Sequence, residues 1–299
     1  MLHHIRPLNI LLAIVAELSI YLTLIQPVDP ARDLVNGWQL TAFILFSIGM
    51  MTAGYVLNDL YDEDMDRANQ RLSPLVLGKI HRSQLWKLFA GGQLVTLVAW
   101  CYLWQSYDYL AWLWMLWLGP TGLWFYATRL KCSPVAGNLL MAFFAACLPA
   151  MFMVGNPGLP WKDDFPAVIR FMFLWYLYFS FGATWFREIV KDLEDYSGDH
   201  QANCTTFPVR FGRGVAHRYA LLIGGGYGVG VLIFMTMVFF RLPPLTGMAL
   251  SLLAGMTLAM AWFLVINRDY RRGQQWIKVH LAAGLAMLWI FNVLEVWNG

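Results

Sequence analysis

Residues 38–66 read WQLTAFILFSIGMMTAGYVLNDLYDEDMD. The first twenty, Trp38–Leu57, carry no charge, and twenty mainly apolar residues wound as a helix span about 30 Å, the hydrocarbon thickness of a bilayer. The stretch then turns abruptly acidic, with Asp59, Asp62 and Asp66 at offsets of three, four and seven. On a helix those offsets align all three carboxylates along one stripe. A bilayer-length apolar run that ends in a row of like charges is the unit from which the rest of the chain is read.

Outward from that unit the same apolar texture continues. Of 299 residues, 59% are hydrophobic and 13% charged, and the mean hydropathy is +0.52. No soluble domain of this size needs so much apolar surface. Candidate spans fall at about 8–26, 38–57, 84–104, 109–128, 134–154, 166–187, 216–240, 244–266 and 278–297. Helices are expected throughout, because in lipid a helix satisfies its own backbone hydrogen bonds. The expected fold is all-α: a polytopic membrane protein with nine transmembrane helices in one bundle, and a single domain over 1–299.

Nine spans sort the connections into two sets. Seventeen of the 21 Lys and Arg residues fall on the N-terminal side, and Arg32, Lys162, Arg170 and Arg241 fall opposite. That bias places the N-terminus and the acidic connections in the cytoplasm of a multi-pass protein of the cell (inner) membrane. The formal net charge of +3 is spent on orientation and on anionic head groups, so no nucleic acid is expected as partner. The four cysteines form no C-x-x-C pair. The first span is expected to be retained rather than cleaved.

The acidic pattern occurs a second time. Residues 187–199 read REIVKDLEDYSGD, with Asp192, Asp195 and Asp199 at the same offsets. The two rows lie in the two longest connections, about 58–83 and 188–215, after the second and sixth spans, which suggests two related helical halves. Carboxylates at short range repel unless cations neutralise them. Hard divalent ions with oxygen ligands, Mg²⁺ above all, meet that need and usually bridge carboxylates to a substrate's phosphates. The six aspartates are therefore candidate metal ligands, and the chain is expected to act on a diphosphate. Lys191 beside Asp192 is a candidate phosphate contact, as are Arg67, Arg71 and Lys79. Glu63 and Arg67 also form an i,i+4 pair. Glu17 is the one carboxylate deep within a span, which makes it a functional candidate by default.

The first row, with Asn58 before it, resembles the N-D-x-x-D-x-x-x-D signature of the UbiA superfamily of intramembrane prenyltransferases, and the second resembles that family's D-x-x-D-x-x-x-D signature. The likeness extends to Arg6-Pro7-Leu8-Asn9 and to Ser73-Pro74-Leu75-Val76-Leu77-Gly78-Lys79-Ile80. It covers nearly the whole chain. The resemblance implies an allylic prenyl diphosphate held through Mg²⁺ between the two rows, assisted by basic residues. Diphosphate leaves, an allylic cation develops, and a lipophilic or aromatic acceptor attacks it. It also implies positions near the substrate for Asn9, Asn58, Tyr126, Lys131 and Asn138.

The second row is most similar to the branch that makes geranylgeranylglyceryl-phosphate ethers, a route in lipid biosynthesis. Prenylation of a quinone precursor or of a chlorophyllide is the alternative within the family. At Ser73 and Thr205 many relatives carry basic residues, so diphosphate binding is expected to be weaker unless Arg71, Arg210 or Arg213 compensates. Two readings from other classes stand beside it. One is a divalent-cation transporter filtering through the Asp rows, although transport sites usually sit near the bilayer midplane. The other is a non-catalytic, isoprenoid-binding paralogue.

Overall fold

The structure is a computed structural model, and it describes residues 6–28, 35–68, 73, 75–107, 119–155, 167–240 and 242–293. Among these residues the ordered elements are helical. They fall into two compact units. Unit 1 comprises Met1–Cys132, Leu148–Pro166 and Gln201–Asn203; unit 2 comprises Ser133–Cys147, Ala167–His200 and Cys204–Gly299.

In unit 1, α1 (Pro7–Ile20) starts at a proline, whose missing N–H costs nothing in a first turn, and opens into a wider π-type turn at Tyr21–Ile25. α2 (Gly37–Tyr61) starts at a reciprocal cap. The Asn36 side chain accepts from the amides of Trp38 and Gln39 at 3.0 and 2.9 Å, and Gln39 Oε1 accepts from the Asn36 amide at 2.8 Å. Three backbone N–H donors that would otherwise be orphaned are thereby satisfied. α2 ends at Tyr61, and the short α3 (Glu63–Ala68) restarts after a bend at Asp62.

α4 (Arg82–Tyr107) packs along α2. The two backbones approach most closely where Gly49 faces Gly92: a Cβ on Gly49 would lie 2.6 Å from the Gly92 carbonyl oxygen. Small residues at a crossing let helices pack on dispersion alone, which is what lipid leaves available. Beneath the acidic end of α2, Val56, Leu60, Leu75, Ile80 and Leu85 form a buried apolar pad. That pad ties the helix end to the turn over 75–80. Helical backbone over 119–125 continues into a second π-type turn, Tyr126–Leu130.

α5 (Ala136–Gly155) contributes its first part to unit 2 and its later part to unit 1, where Phe152 packs on Phe43 with centroids 4.9 Å apart. Unit 2 is dominated by α6 (Ala167–Gln201), 35 residues without a break. The short α7 (Phe207–Phe211) leads into α8 (Arg213–Phe239), α9 (Pro244–Ile266) and α10 (Tyr270–Val293). α8 packs on α9 and α9 on α10.

A buried polar chain links these last three helices. The Thr257 hydroxyl donates to the Leu253 carbonyl at 2.8 Å, so its oxygen accepts from His280 Nδ1 at 2.9 Å. His280 Nε2 then accepts from the Tyr227 hydroxyl at 2.9 Å. Every member is satisfied, as buried polar groups in an apolar surrounding must be.

Among the described residues, four helices have the length and apolarity to cross a membrane: Pro7–Ile25, Gly37–Tyr61, Arg213–Phe239 and Pro244–Ile266. Helix also covers 84–104, 167–187 and most of 134–154 and 278–297; of these, Ala136–Phe152 is apolar but shorter than a full span. The predicted span 109–128 lies outside the described residues up to 118. The structure thus has the all-α class and membrane-crossing helices expected from composition. Two boundaries move: α6 runs fourteen residues past 187, through the second Asp row, and α10 begins at Tyr270 rather than 278.

Candidate active site

In unit 1 the first acidic row sits on a helix end rather than along one helix. α2 carries Asn58 and Asp59, Asp62 is its C-cap, and Asp66 lies on α3. The single stripe expected for Asp59, Asp62 and Asp66 is therefore corrected to a row that turns a corner at Asp62. The bend holds its register through backbone bonds: the Asp62 amide donates to the Asn58 carbonyl at 2.8 Å, and the Asp66 amide to the Asp62 carbonyl at 2.7 Å.

Asp62 forms an ion pair with Lys131, and both side chains are largely enclosed. Lys131 reaches it from the turn that contains buried Tyr126; the Lys131 amide bonds the Tyr126 carbonyl at 2.8 Å. Asp59 pairs with Arg6 at 3.5 Å, and the Arg6 guanidinium lies 5.0 Å from the Tyr55 ring centroid. Arg6 adopts the left-handed region, φ 47°, immediately before Pro7, a position where proline disfavours the right-handed helical alternative. Asn58 Oδ1 is buried and has no hydrogen-bond partner among the described residues. An orphaned carbonyl oxygen on the residue before Asp59, one helical turn from Asp62, is a hard donor that a cation could take up.

In unit 2 the second row is continuous. Asp192, Asp195 and Asp199 all lie on α6 with Lys191. Buried Asn138, on α5, donates from Nδ2 to Asp192 Oδ2 at 2.9 Å. Asp199, also buried, accepts from the Thr206 hydroxyl at 3.0 Å. Burial pushes the Asp192 carboxyl up to about 7; the Asn138 hydrogen bond and the Lys191 charge pull it back, while Glu188 and Asp199 push it further up.

The expected residues thus divide into several groups. Lys131 with Asp62, Asn138 with Asp192, and Tyr126 in the Lys131 turn are brought together within their units. Asn9 is half-buried in the first turn of α1, close in sequence to Arg6. Arg67 is committed to Glu63 at 2.8 Å, and Glu63 also holds Arg82 at 2.9 Å; the Arg67 hydrogen bond, then the charges of both arginines, keep the Glu63 carboxyl below its ordinary range. Lys79 is exposed in the turn over 75–80. Arg71 lies outside the described residues. Glu17 is fully buried, with one oxygen accepting from the Ser47 hydroxyl and the other without a hydrogen-bond partner among the described residues. Arg6 and Thr206 were missed as contacts of the rows. Arg6 was within reach of sequence reading, since it opens the Arg-Pro-x-Asn stretch; Thr206 offers no signal beyond its place after the row.

Among the described residues no three acidic, His or Cys side chains converge to close a metal site by themselves. The donors nevertheless fit Mg²⁺. They are all oxygens, and Mg²⁺ is ordinarily held by one or two carboxylates, with water and substrate phosphate completing its octahedron.

Comparison with known proteins gives a consistent identity. The UbiA prenyltransferase family profile matches residues 30–291. Digeranylgeranylglyceryl phosphate synthase of Methanopyrus kandleri is 27% identical over 241 residues, covering 78% of this chain and 79% of that protein. The synthase of the same name from Methanocaldococcus jannaschii is 28% identical over 174 residues, 58% of this chain, and the match spans 55% of that relative's length. A UbiA homolog from Archaeoglobus fulgidus, solved bound to DMAPP and Mg²⁺, superposes with a TM-score of 0.60 at 18% identity, covering 93% of this chain and 96% of that one.

Proposed function

This chain belongs to the UbiA prenyltransferase family, an integral membrane family, and from that premise we propose that it transfers an isoprenyl group from an allylic prenyl diphosphate to a lipid acceptor of the glyceryl phosphate type. The observation that carries the reading is the pairing of Asp62 with Lys131 beside the orphaned Asn58 oxygen: a carboxylate, an ammonium and a hard oxygen donor gathered at one helix end. Relatives named for the glyceryl phosphate reaction supply the acceptor class. The finer topology belongs to the same reading. It comprises nine spans in a single domain, with the N-terminus and the acidic rows on the cytoplasmic side of the cell membrane, and it is supported by the partition of basic residues.

In the reaction the allylic C–O bond breaks, diphosphate departs with the electron pair, and an acceptor hydroxyl oxygen forms the new C–O bond and loses its proton. Asp59, Asp62 and Asp66 in one row, and Asp192, Asp195 and Asp199 in the other, would hold Mg²⁺, which when bound supplies positive charge against the leaving diphosphate. Lys131 and Lys191 place ammonium groups beside those carboxylates, where they stabilise anionic phosphate. Asn138 orients the Asp192 carboxylate by donating to one of its oxygens, leaving the other for a cation. Tyr126, buried beneath Lys131, fixes the turn from which that lysine extends.

The defining experiment incubates the reconstituted protein with Mg²⁺, labelled prenyl diphosphates and geranylgeranylglyceryl phosphate, and identifies the product by mass. A prenyl ether of the glyceryl phosphate lipid is the expected product. Tight donor binding without turnover on any acceptor would instead identify a non-catalytic relative.

A pH dependence follows from Asp192. Its carboxyl, raised to about 7 by burial, is protonated below that value and becomes a metal ligand above it. Cation affinity therefore falls as pH drops through 7. Titration calorimetry with Mn²⁺ or Mg²⁺ should show roughly tenfold weaker binding at pH 6 than at pH 8. An affinity independent of pH over that interval would show that Asp192 is not a ligand.

A further inference from the structure

We propose that Arg213, Arg218, Arg268 and Arg271, on one rim of unit 2, bind the phosphate head group of an anionic phospholipid from the surrounding bilayer. Three helix ends meet at this rim: α8 begins at Arg213, α9 ends at Ile266, and α10 begins at Tyr270. The Tyr270 hydroxyl bonds His217 Nδ1 at 3.2 Å. Arg213 and Arg268 both act electrostatically on Tyr270, and Arg268 acts on His217 as well. Arg218 follows His217 on α8 and Arg271 follows Tyr270 on α10, so all four arginines lie within two turns of these three helix ends, and the Arg213 guanidinium stacks 5.1 Å from the Tyr196 ring centroid.

The turn that carries Arg268 is fixed rather than loose. Arg268 sits at φ 60°, its amide bonded to the Val265 carbonyl at 2.9 Å, and the Asp269 amide to the Leu264 carbonyl at 2.9 Å. All four arginines are exposed.

Several basic residues elsewhere are already paired. In unit 1, Arg6 pairs with Asp59, Arg67 and Arg82 with Glu63, and Lys131 with Asp62; on α6, Arg187 pairs with Glu188. On the rim the one such pair is Arg272 with Asp269, at 3.7 Å. Among the described residues no carboxylate lies within ion-pair distance of Arg213, Arg218, Arg268 or Arg271. Like charges gathered without counter-ions repel, and an external anion removes that cost.

The surface below is apolar. Leu222, one turn along α8 from Arg218, is 70% exposed, and Phe263 and Ile266 near the end of α9 are 58% and 44% exposed. A phosphate above and hydrocarbon below is the profile of a phospholipid, and basic clusters at the ends of membrane helices attract anionic head groups at about fivefold per Lys or Arg. A free phosphate ion would use the arginines alone.

The test uses native mass spectrometry on the full-length protein, offered equal amounts of phosphatidylglycerol and phosphatidylcholine in detergent. The wild type should retain phosphatidylglycerol with at least about tenfold preference. Arg218→Gln/Arg268→Gln/Arg271→Gln should lose that preference, while Lys87→Gln, which changes a basic residue of α4 in unit 1, should keep it. Arg268→Gly/Arg271→Gln preserves the positive-φ turn with the charge removed, and should show a partial loss even if the triple variant folds poorly. Equal retention of the two lipids by the wild type, an unchanged preference in both variants, an equal fall in Lys87→Gln, or full displacement by millimolar inorganic phosphate would each overturn the proposal. The variants change Arg218, Arg268 and Arg271 and leave Arg213 and the acidic rows intact, so failure here leaves the prenyl-transfer reading untouched.

Discussion

Replacing Asp62 by Ala should lower prenyl transfer roughly 10²–10³-fold at saturating donor and acceptor, the loss typical of removing one preorganised electrostatic contact to the reacting charge. Asp62 is the corner of its row: it caps α2, receives the Lys131 ammonium and stands next to the orphaned Asn58 oxygen. Its removal takes away a cation ligand and strands a largely enclosed lysine without its counter-charge. Asp195→Ala should produce a loss of the same order on the other row. Asp64→Ala is the matched control, because Asp64 is exposed in the same acidic run and should leave turnover within about twofold. Product formation by mass, together with thermal unfolding in detergent, separates loss of chemistry from loss of fold. Full activity in Asp62→Ala and Asp195→Ala would remove the acidic rows from the mechanism.

Lys131→Met should split two quantities that ordinarily move together. Without added cation, Lys131 neutralises Asp62, so lysine and a divalent cation compete for one carboxylate. Removing the lysine charge while keeping the side chain's length should tighten cation binding, by about tenfold if the pair is worth a little over 1 kcal/mol. Turnover should fall by about 10²-fold, because an ammonium beside the departing phosphate is lost. Calorimetry on the donor-free protein and a transfer assay on the same preparation measure the two effects. If both affinity and turnover fall, Lys131 serves only to hold the turn in place.

The apolar spans and the two acidic rows were legible in the sequence because a bilayer-length apolar run and a fixed spacing of like charges each lie within one segment and survive ignorance of tertiary contacts. The bend at Asp62 was not. Asn58-Asp59-Leu60-Tyr61-Asp62-Glu63 contains no Gly or Pro, so nothing local announces that α2 stops there; the stop is set by the apolar pad that Leu60 shares with Leu75, Ile80 and Leu85. The partners of the carboxylates were partly legible. Lys131 and Asn138 were singled out through resemblance, yet their pairing with Asp62 and Asp192 joins residues 69 and 54 positions apart, a separation that spacing within one segment cannot express. Arg67 shows the reverse case: its i,i+4 pairing with Glu63 was readable directly and is present. Arg6 stood in the Arg-Pro-x-Asn stretch that put it within reach, but its contact with Asp59 joins residues 53 positions apart, which spacing within one segment again cannot express.

The unbroken length of α6 has a consequence for traffic. Thirty-five residues make a rod of about 52 Å against a hydrocarbon layer of about 30 Å, so on the proposed topology the aspartates near its far end project some way beyond the oily slab. An amphiphile can then keep its charged end at water level while its tail stays dissolved among neighbouring chains, and it arrives by sideways diffusion within a two-dimensional sheet. Capture on such terms scales with the mole fraction of the reactant in the sheet, and diluting the vesicles in buffer leaves the rate unchanged.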